Sequence, residues 1–105
     1  MKRGSELIKK DHKTIADRIN ECRHQPTKHQ SLSSLKELLD ETNDGLVSYE
    51  LAHMFEKIGK DKEAVRYYEK AESLFKEDSY KNMARSAINN IVIEALIAEK
   101  KKKKK

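Results

Sequence analysis

Apolar residues recur along this chain at intervals of three and four, which is the spacing of one face of an α-helix. The spacing appears first at Ile8, Ile15, Ile19 and Cys22. Ser5 precedes them, and its side chain suits a helix N-cap. Val, Ile and Thr rarely alternate with polar residues, so strands are not indicated. The pattern predicts an all-α protein.

Pro26 divides the first two helices. It lies in the segment HQPTKHQ and disfavours helix in the residue before it, so the first helix should end near Arg23. A second, shorter helix is predicted from Ser31 to Asp40. Its apolar residues are Leu32, Leu35, Leu38 and Leu39.

Two longer helices are predicted on either side of Gly59. Asp44 suits the cap of the third helix, and Gly59 ends it because glycine adopts the left-handed conformation without steric cost. The fourth helix is predicted from about Asp61 to Glu77. The inward-facing residues of this hairpin are Leu46, Tyr49, Leu51, Ala52, Phe55, Ile58, Ala64, Val65, Tyr68, Ala71 and Phe75.

The fifth predicted helix, from about Tyr80 to Glu99 after a cap at Ser79, is apolar on two sides. One stripe consists of Ala84, Ile88, Ile91, Val92 and Ala95. Ile93 and Ile97 lie roughly opposite this stripe. A helix of this kind contacts something on both sides, so Ile93 and Ile97 predict either a homodimer contact or a neighbouring repeat in a longer array.

The hairpin around Gly59 carries a spaced set of small and aromatic residues. They are Leu51, Ala52, Phe55, Gly59, Ala64, Tyr68 and Ala71. In residue type and spacing this set resembles the tetratricopeptide repeat, a helix, a turn and an antiparallel helix in about 34 residues. Two positions depart from the family, because Ser48 stands where Trp is frequent and Lys76 where a proline usually separates repeats.

A shift of 33 residues relates the N-terminal half of the chain to this hairpin. It places Ala52, Phe55, Gly59, Ala64, Tyr68 and Ala71 on Ile19, Cys22, Pro26, Ser31, Leu35 and Leu38. We interpret residues 12–44 as a degenerate repeat, against the alternative of an unrelated hairpin, and residues 45–78 as the clear one. Residues 79–99 would form a long capping helix. The prediction is one domain, 1–99, a short stack of antiparallel hairpins.

The resemblance also implies a function. Tetratricopeptide arrays bind peptides or proteins along the concave face lined by the first helix of each repeat. By position, that face contains Tyr49, His53, Glu56 and Lys57, with Lys81 and Arg85 from the fifth helix. Tyr49 and His53 replace the lysine and asparagine of the carboxylate clamp found in chaperone-binding members, so no such clamp is expected. The alternative for all six residues is ordinary solvated surface.

The net charge of +5 is concentrated at the C-terminus. Lys100 to Lys105 supply six positive charges, so the rest of the chain carries 5 − 6 = −1. A frayed lysine run could serve nuclear import, weak nonspecific binding of a polyanion, or solubility alone. Nucleic-acid association through this run is therefore the alternative function.

Sequence signals for chemistry are weak. Cys22, His24 and His29 lie close together, but their spacing matches no common zinc site. The glycines are isolated, so no phosphate loop is predicted. No metal, cofactor or enzymatic activity is expected. The single cysteine and the lack of a long apolar stretch indicate an intracellular protein, cytoplasmic or alternatively nuclear, with no membrane contact.

Overall fold

The computed structural model describes the backbone of residues 14–103 and the side chains of residues 14–101. This part of the chain is all-α, as predicted, and contains five helices and no strand. They are α1 (Ile15–Arg23), α2 (Lys28–Thr42), α3 (Gly45–Lys57), α4 (Asp61–Leu74) and α5 (Asp78–Lys103). Each helix packs against the next along the chain, and α1 also contacts α3. The result is a short stack of helical hairpins.

The core runs through the whole stack. Its most deeply buried residues are Leu35, Val47, Leu51, Ala52, Ala64 and Tyr68, each at most 1% exposed. The 33-residue register is visible in the helices themselves, because α2 begins at Lys28 and α4 begins at Asp61. Residues related by the shift are buried together, as are Ser31 with Ala64 and Leu35 with Tyr68. The two hairpins therefore place equivalent positions in the core.

The start of α1 differs from the prediction. Thr14 has an extended backbone and caps the helix, its Oγ1 accepting a hydrogen bond from Asp17 N at 3.0 Å. The Asp17 carboxylate accepts one in return from Thr14 N, which completes a capping box. A single helix running through Thr14 is therefore wrong. The proposed cap Ser5 and Ile8 lie outside the described residues.

The turns at Pro26 and Gly59 are close to those expected. Thr27 caps α2 by accepting from Gln30 N, so this helix begins three residues before the predicted Ser31. Asp44 caps α3 as predicted, accepting from Leu46 N at 2.8 Å. Gly59 has φ +84° and follows the end of α3, also as predicted.

The junction between α4 and α5 corrects the sequence prediction. The α4 helix ends at Leu74 rather than Glu77, because Phe75 is extended and turns its ring into the core. There the ring stacks on Tyr80, with centroids 5.3 Å apart. Ser79 does not cap α5, which already begins at Asp78.

The C-terminal end of α5 also differs. The helix continues to Lys103, so residues 100–103 are helical rather than frayed, while Lys104 and Lys105 lie outside the described residues. Lysine is a good helix former and its charge suits the negative end of the helix dipole. Val92 and Ala95, expected in the buried stripe, are exposed because α5 runs past the beginning of α4.

Candidate functional site

An open groove of about 480 Å³ lies between α3 and α5 and is floored by α4. Its lining residues are Tyr49, His53 and Glu56 from α3, Tyr68 from α4, and Met83, Ser86, Ala87 and Asn90 from α5. The α3 residues recur at three and four, so they share one face of that helix. The residues of α5 follow the same spacing, so two parallel rows of side chains border the groove.

A hydrogen-bonded cluster fixes the floor of the groove. The Tyr68 hydroxyl donates to Glu56 Oε1 at 2.7 Å, and its oxygen lies 3.4 Å from His53 Nδ1. Burial raises the pKa of Tyr68 far above its ordinary range, and the hydrogen bond to Glu56 raises it further. The Tyr68 hydroxyl is therefore a neutral donor whose proton is already committed to Glu56.

Aromatic contacts hold the other end of the groove. The Tyr49 ring lies edge-on to Tyr68, with centroids 5.2 Å apart, and tilted against Phe75 at 6.5 Å. Tyr49 is only partly buried, and this burial raises its pKa, with a smaller effect from Glu50. An aromatic edge thus faces the groove from a fixed position, because both of its ring contacts belong to the core.

Three of the six residues predicted for a groove meet there and three do not. Tyr49, His53 and Glu56 line it, whereas Lys57 is exposed beyond its end. Lys81 donates from Nζ to the Glu72 carbonyl at 3.0 Å, and Arg85 pairs with the Glu72 carboxylate. The last two therefore fasten α5 to the C-terminal end of α4.

This arrangement determines the charge of the groove. His53 and Glu56 are its ionisable side chains apart from the tyrosines, and no lysine or arginine lines it. An acidic segment would find no counter-charge there. The groove suits a segment that is uncharged or positively charged, with aromatic edges and amides available for contact.

The α5 side of the groove was not identified from the sequence. Met83, Ser86, Ala87 and Asn90 are small, flexible or polar residues that carry no motif of their own. Their spacing of three, one and three was the available signal, because the prediction already compared Tyr80, Met83 and Ala84 with the opening residues of a repeat. The registration of α5 against α3 was needed to connect the two rows.

A second surface lies on the C-terminal half of α5. Val92, Ile93, Leu96 and Ile97 are each between 47% and 53% exposed, although all are large and apolar. Val92 and Leu96 also border a largely apolar cavity of about 430 Å³ together with Val65 of α4. We call these four residues the α5 stripe.

The zinc candidates are placed apart from any such chemistry. Cys22 packs partly buried against the core, and this burial raises the pKa of its thiol. His24 Nδ1 lies 2.7 Å from the Asn20 carbonyl, which belongs to the same helix. Across residues 14–101, no group of three or more potential metal ligands occurs. Nor does any helix of the described chain have the length and apolarity to cross a membrane.

Comparison of the chain with protein-family models, with curated proteins and with solved structures finds no match.

Proposed function

We propose that this protein is a non-enzymatic, tetratricopeptide-like adaptor that binds a segment of a partner protein in the groove between α3 and α5. The observation that carries the proposal is the groove itself, in which Tyr49, His53 and Glu56 face a second row of side chains ending at Asn90. The volume of about 480 Å³ falls within the usual range of binding clefts. Its openness along the helices suits a peptide.

The 33-residue register supports the resemblance to a repeat protein. Equivalent positions of the two hairpins are buried alike, and α5 occupies the place of the first helix of a third unit. Stacked hairpins of this kind leave the first helix of each unit on one shared face. Here, the groove lies between two such helices.

The charge of the groove narrows the class of partner. With Glu56 the one carboxylate in its lining and no basic side chain, we expect segments that are uncharged or carry Lys or Arg. A cation near Tyr49 would also interact favourably with the ring face.

A displayed library of random peptides would test this function. The groove variant is His53→Ala/Asn90→Ala, and the matched control is Lys57→Ala/Asn82→Ala, which alters the same two helices outside the groove. Selected peptides should bind wild type and control equally and lose affinity at least roughly tenfold with the groove variant. Failure to select peptides, or equal loss in both variants, would contradict the proposal.

Two further functions stay proposals. Self-association through α5 is supported by the exposed side chains of the α5 stripe. Nucleic-acid association rests on the lysine run alone, which has no interleaved aromatic residue for base stacking.

A further inference from the structure

We propose that the α5 stripe docks antiparallel on the α5 stripe of a second copy of this chain. The inference deepens the self-association put forward above and is independent of peptide binding in the groove. It names the surface, the occupant and the orientation.

The position of the stripe calls for a partner. At about 100° per residue, Val92, Ile93, Leu96 and Ile97 fall on the side of α5 roughly opposite the buried residues Ala84, Ile88 and Ile91. One helix therefore has a complete core face in its first half and a second apolar face in its second half. Exposed apolar patches bounded by polar residues are typical of interaction sites.

The stripe is bounded by Asn89 on one side and Lys100 on the other. Ile93 and Leu96 are three residues apart, as in the a and d positions of a heptad, and Val92 and Ile97 flank them. Glu94 and Glu99 fall to the sides at the helical angle, so the centre of the stripe is free of charge. A centre depleted of charge is typical of protein interfaces.

Self-complementarity favours a second copy as the occupant. A twofold axis between Glu94 and Ala95 places Ile93 beside the second copy's Leu96. It also places Val92 beside the second copy's Ile97. A twofold interface requires this kind of reciprocal match, in which the same patch serves both partners.

Charge selects the antiparallel orientation. In a parallel pair, the run from Lys100 to Lys105 would lie beside its own copy, with six positive charges on each side. In the antiparallel pair, the two runs leave from opposite ends, and Lys100 lies opposite the second copy's uncharged Asn89. Like charges placed together oppose association, so the parallel arrangement is disfavoured.

The size of the contact sets its strength. Two helical turns bury much less than the roughly 800 Å² per partner of a standard interface. We therefore expect a dissociation constant in the micromolar range rather than the nanomolar range.

Sedimentation over a concentration series would test the contact. Wild type should pass from monomer to dimer, whereas Ile93→Asp and Leu96→Asp should need at least roughly tenfold higher concentration, because each buries an unpaired charge. Asn82→Asp adds the same charge to the exposed surface of α5 outside the stripe and should behave as wild type. Circular dichroism checks the fold of each variant, and Leu96→Asn serves if an Asp variant unfolds.

Nitroxide labels at Asn82, in a Cys22→Ala background, would test the orientation by pulsed electron resonance. The antiparallel pair predicts a separation of roughly 40 Å from the helical rise, and a parallel pair roughly 10 Å. A monomer at every concentration, unchanged association of Ile93→Asp, or the short distance would overturn the inference. The groove variant His53→Ala should dimerise normally, so failure of this contact and failure of peptide binding are distinguishable.

Discussion

Small residues at the contact between α3 and α4 allow the two helices to approach closely. Ser48 is fully buried, and its hydroxyl donates to the Tyr67 carbonyl at 2.7 Å. Its position relative to the repeat pattern, where Trp is frequent, suggested weaker packing. The structure instead shows a close helix contact with a satisfied hydroxyl, and Phe55 stacks on Tyr67 beside it. The loss of a large side chain is therefore matched by a shorter distance between helices.

Gly45 is required for the seat of the Phe75 ring. A Cβ at Gly45 would lie 2.8 Å from Phe75 Cδ1, and the ring is held on its other sides by Tyr49 and Tyr80. We expect Gly45→Ala to lower the free energy of unfolding by about 1–2 kcal/mol, because overpacking outweighs the gain in helix propensity. Urea unfolding measures it. Phe75→Leu should relieve the clash, and equal cost of Gly45→Ala in both backgrounds would show that the ring is not the cause.

Tyr68 should make the protein sensitive to alkali. Its pKa is raised in the folded state, so the folded chain retains a proton that the unfolded chain loses above about pH 10. The stabilisation is complete below that pH and is lost as the pH rises toward the folded pKa, by up to about 1.4 kcal/mol per unit.

Tyr68→Phe removes both the titration and the hydrogen bond to Glu56. We expect it to cost about 1–2 kcal/mol at neutral pH and to flatten the loss of stability above about pH 10. Urea unfolding at a series of pH values measures both effects. Tyr80→Phe, at a half-exposed ring, is the control. A slope identical in wild type and Tyr68→Phe would refute this role.

The helices could be predicted from the sequence where their ends depend on local interactions. Asp44 and Gly59 act through their own side chain and backbone, so both were identified correctly. Phe75 ends α4 because its ring finds space over Gly45, a contact across 30 residues that no local pattern reveals. Likewise, the α3 half of the groove follows from the repeat spacing, whereas the α5 half depends on how the last helix is registered.

The two halves of α5 should respond differently to truncation of their side chains. Ile88 is 4% exposed, and Ile88→Ala should cost about 2–4 kcal/mol through a core cavity. Leu96 is 53% exposed, so Leu96→Ala should cost less than about 0.5 kcal/mol in the monomer. Urea unfolding at low protein concentration measures both. A large cost at Leu96 under those conditions would mean that the end of α5 is held by its own chain.

At the scale of the whole molecule, charge separates the two proposals for the C-terminal region. The chain carries +5, so a dimer carries 5 + 5 = +10, and removing Lys100 to Lys105 leaves −1 per chain. Salt screens the repulsion between two positive copies. It weakens binding of a polyanion, because counterion release supplies that affinity. The two forms of association therefore depend on salt with opposite signs.

We expect dimerisation of the full chain to tighten several-fold between about 50 mM and about 500 mM KCl, because the Debye length falls below the separation of the lysine runs. A chain ending at Glu99 should dimerise with little dependence on salt, since its charge is close to zero. Sedimentation of both chains measures this, and fluorescence anisotropy with a labelled oligonucleotide follows polyanion binding in the same buffers. Association of the full chain that weakens as salt rises, and disappears in the shorter chain, would identify the lysine run rather than the α5 stripe as its cause.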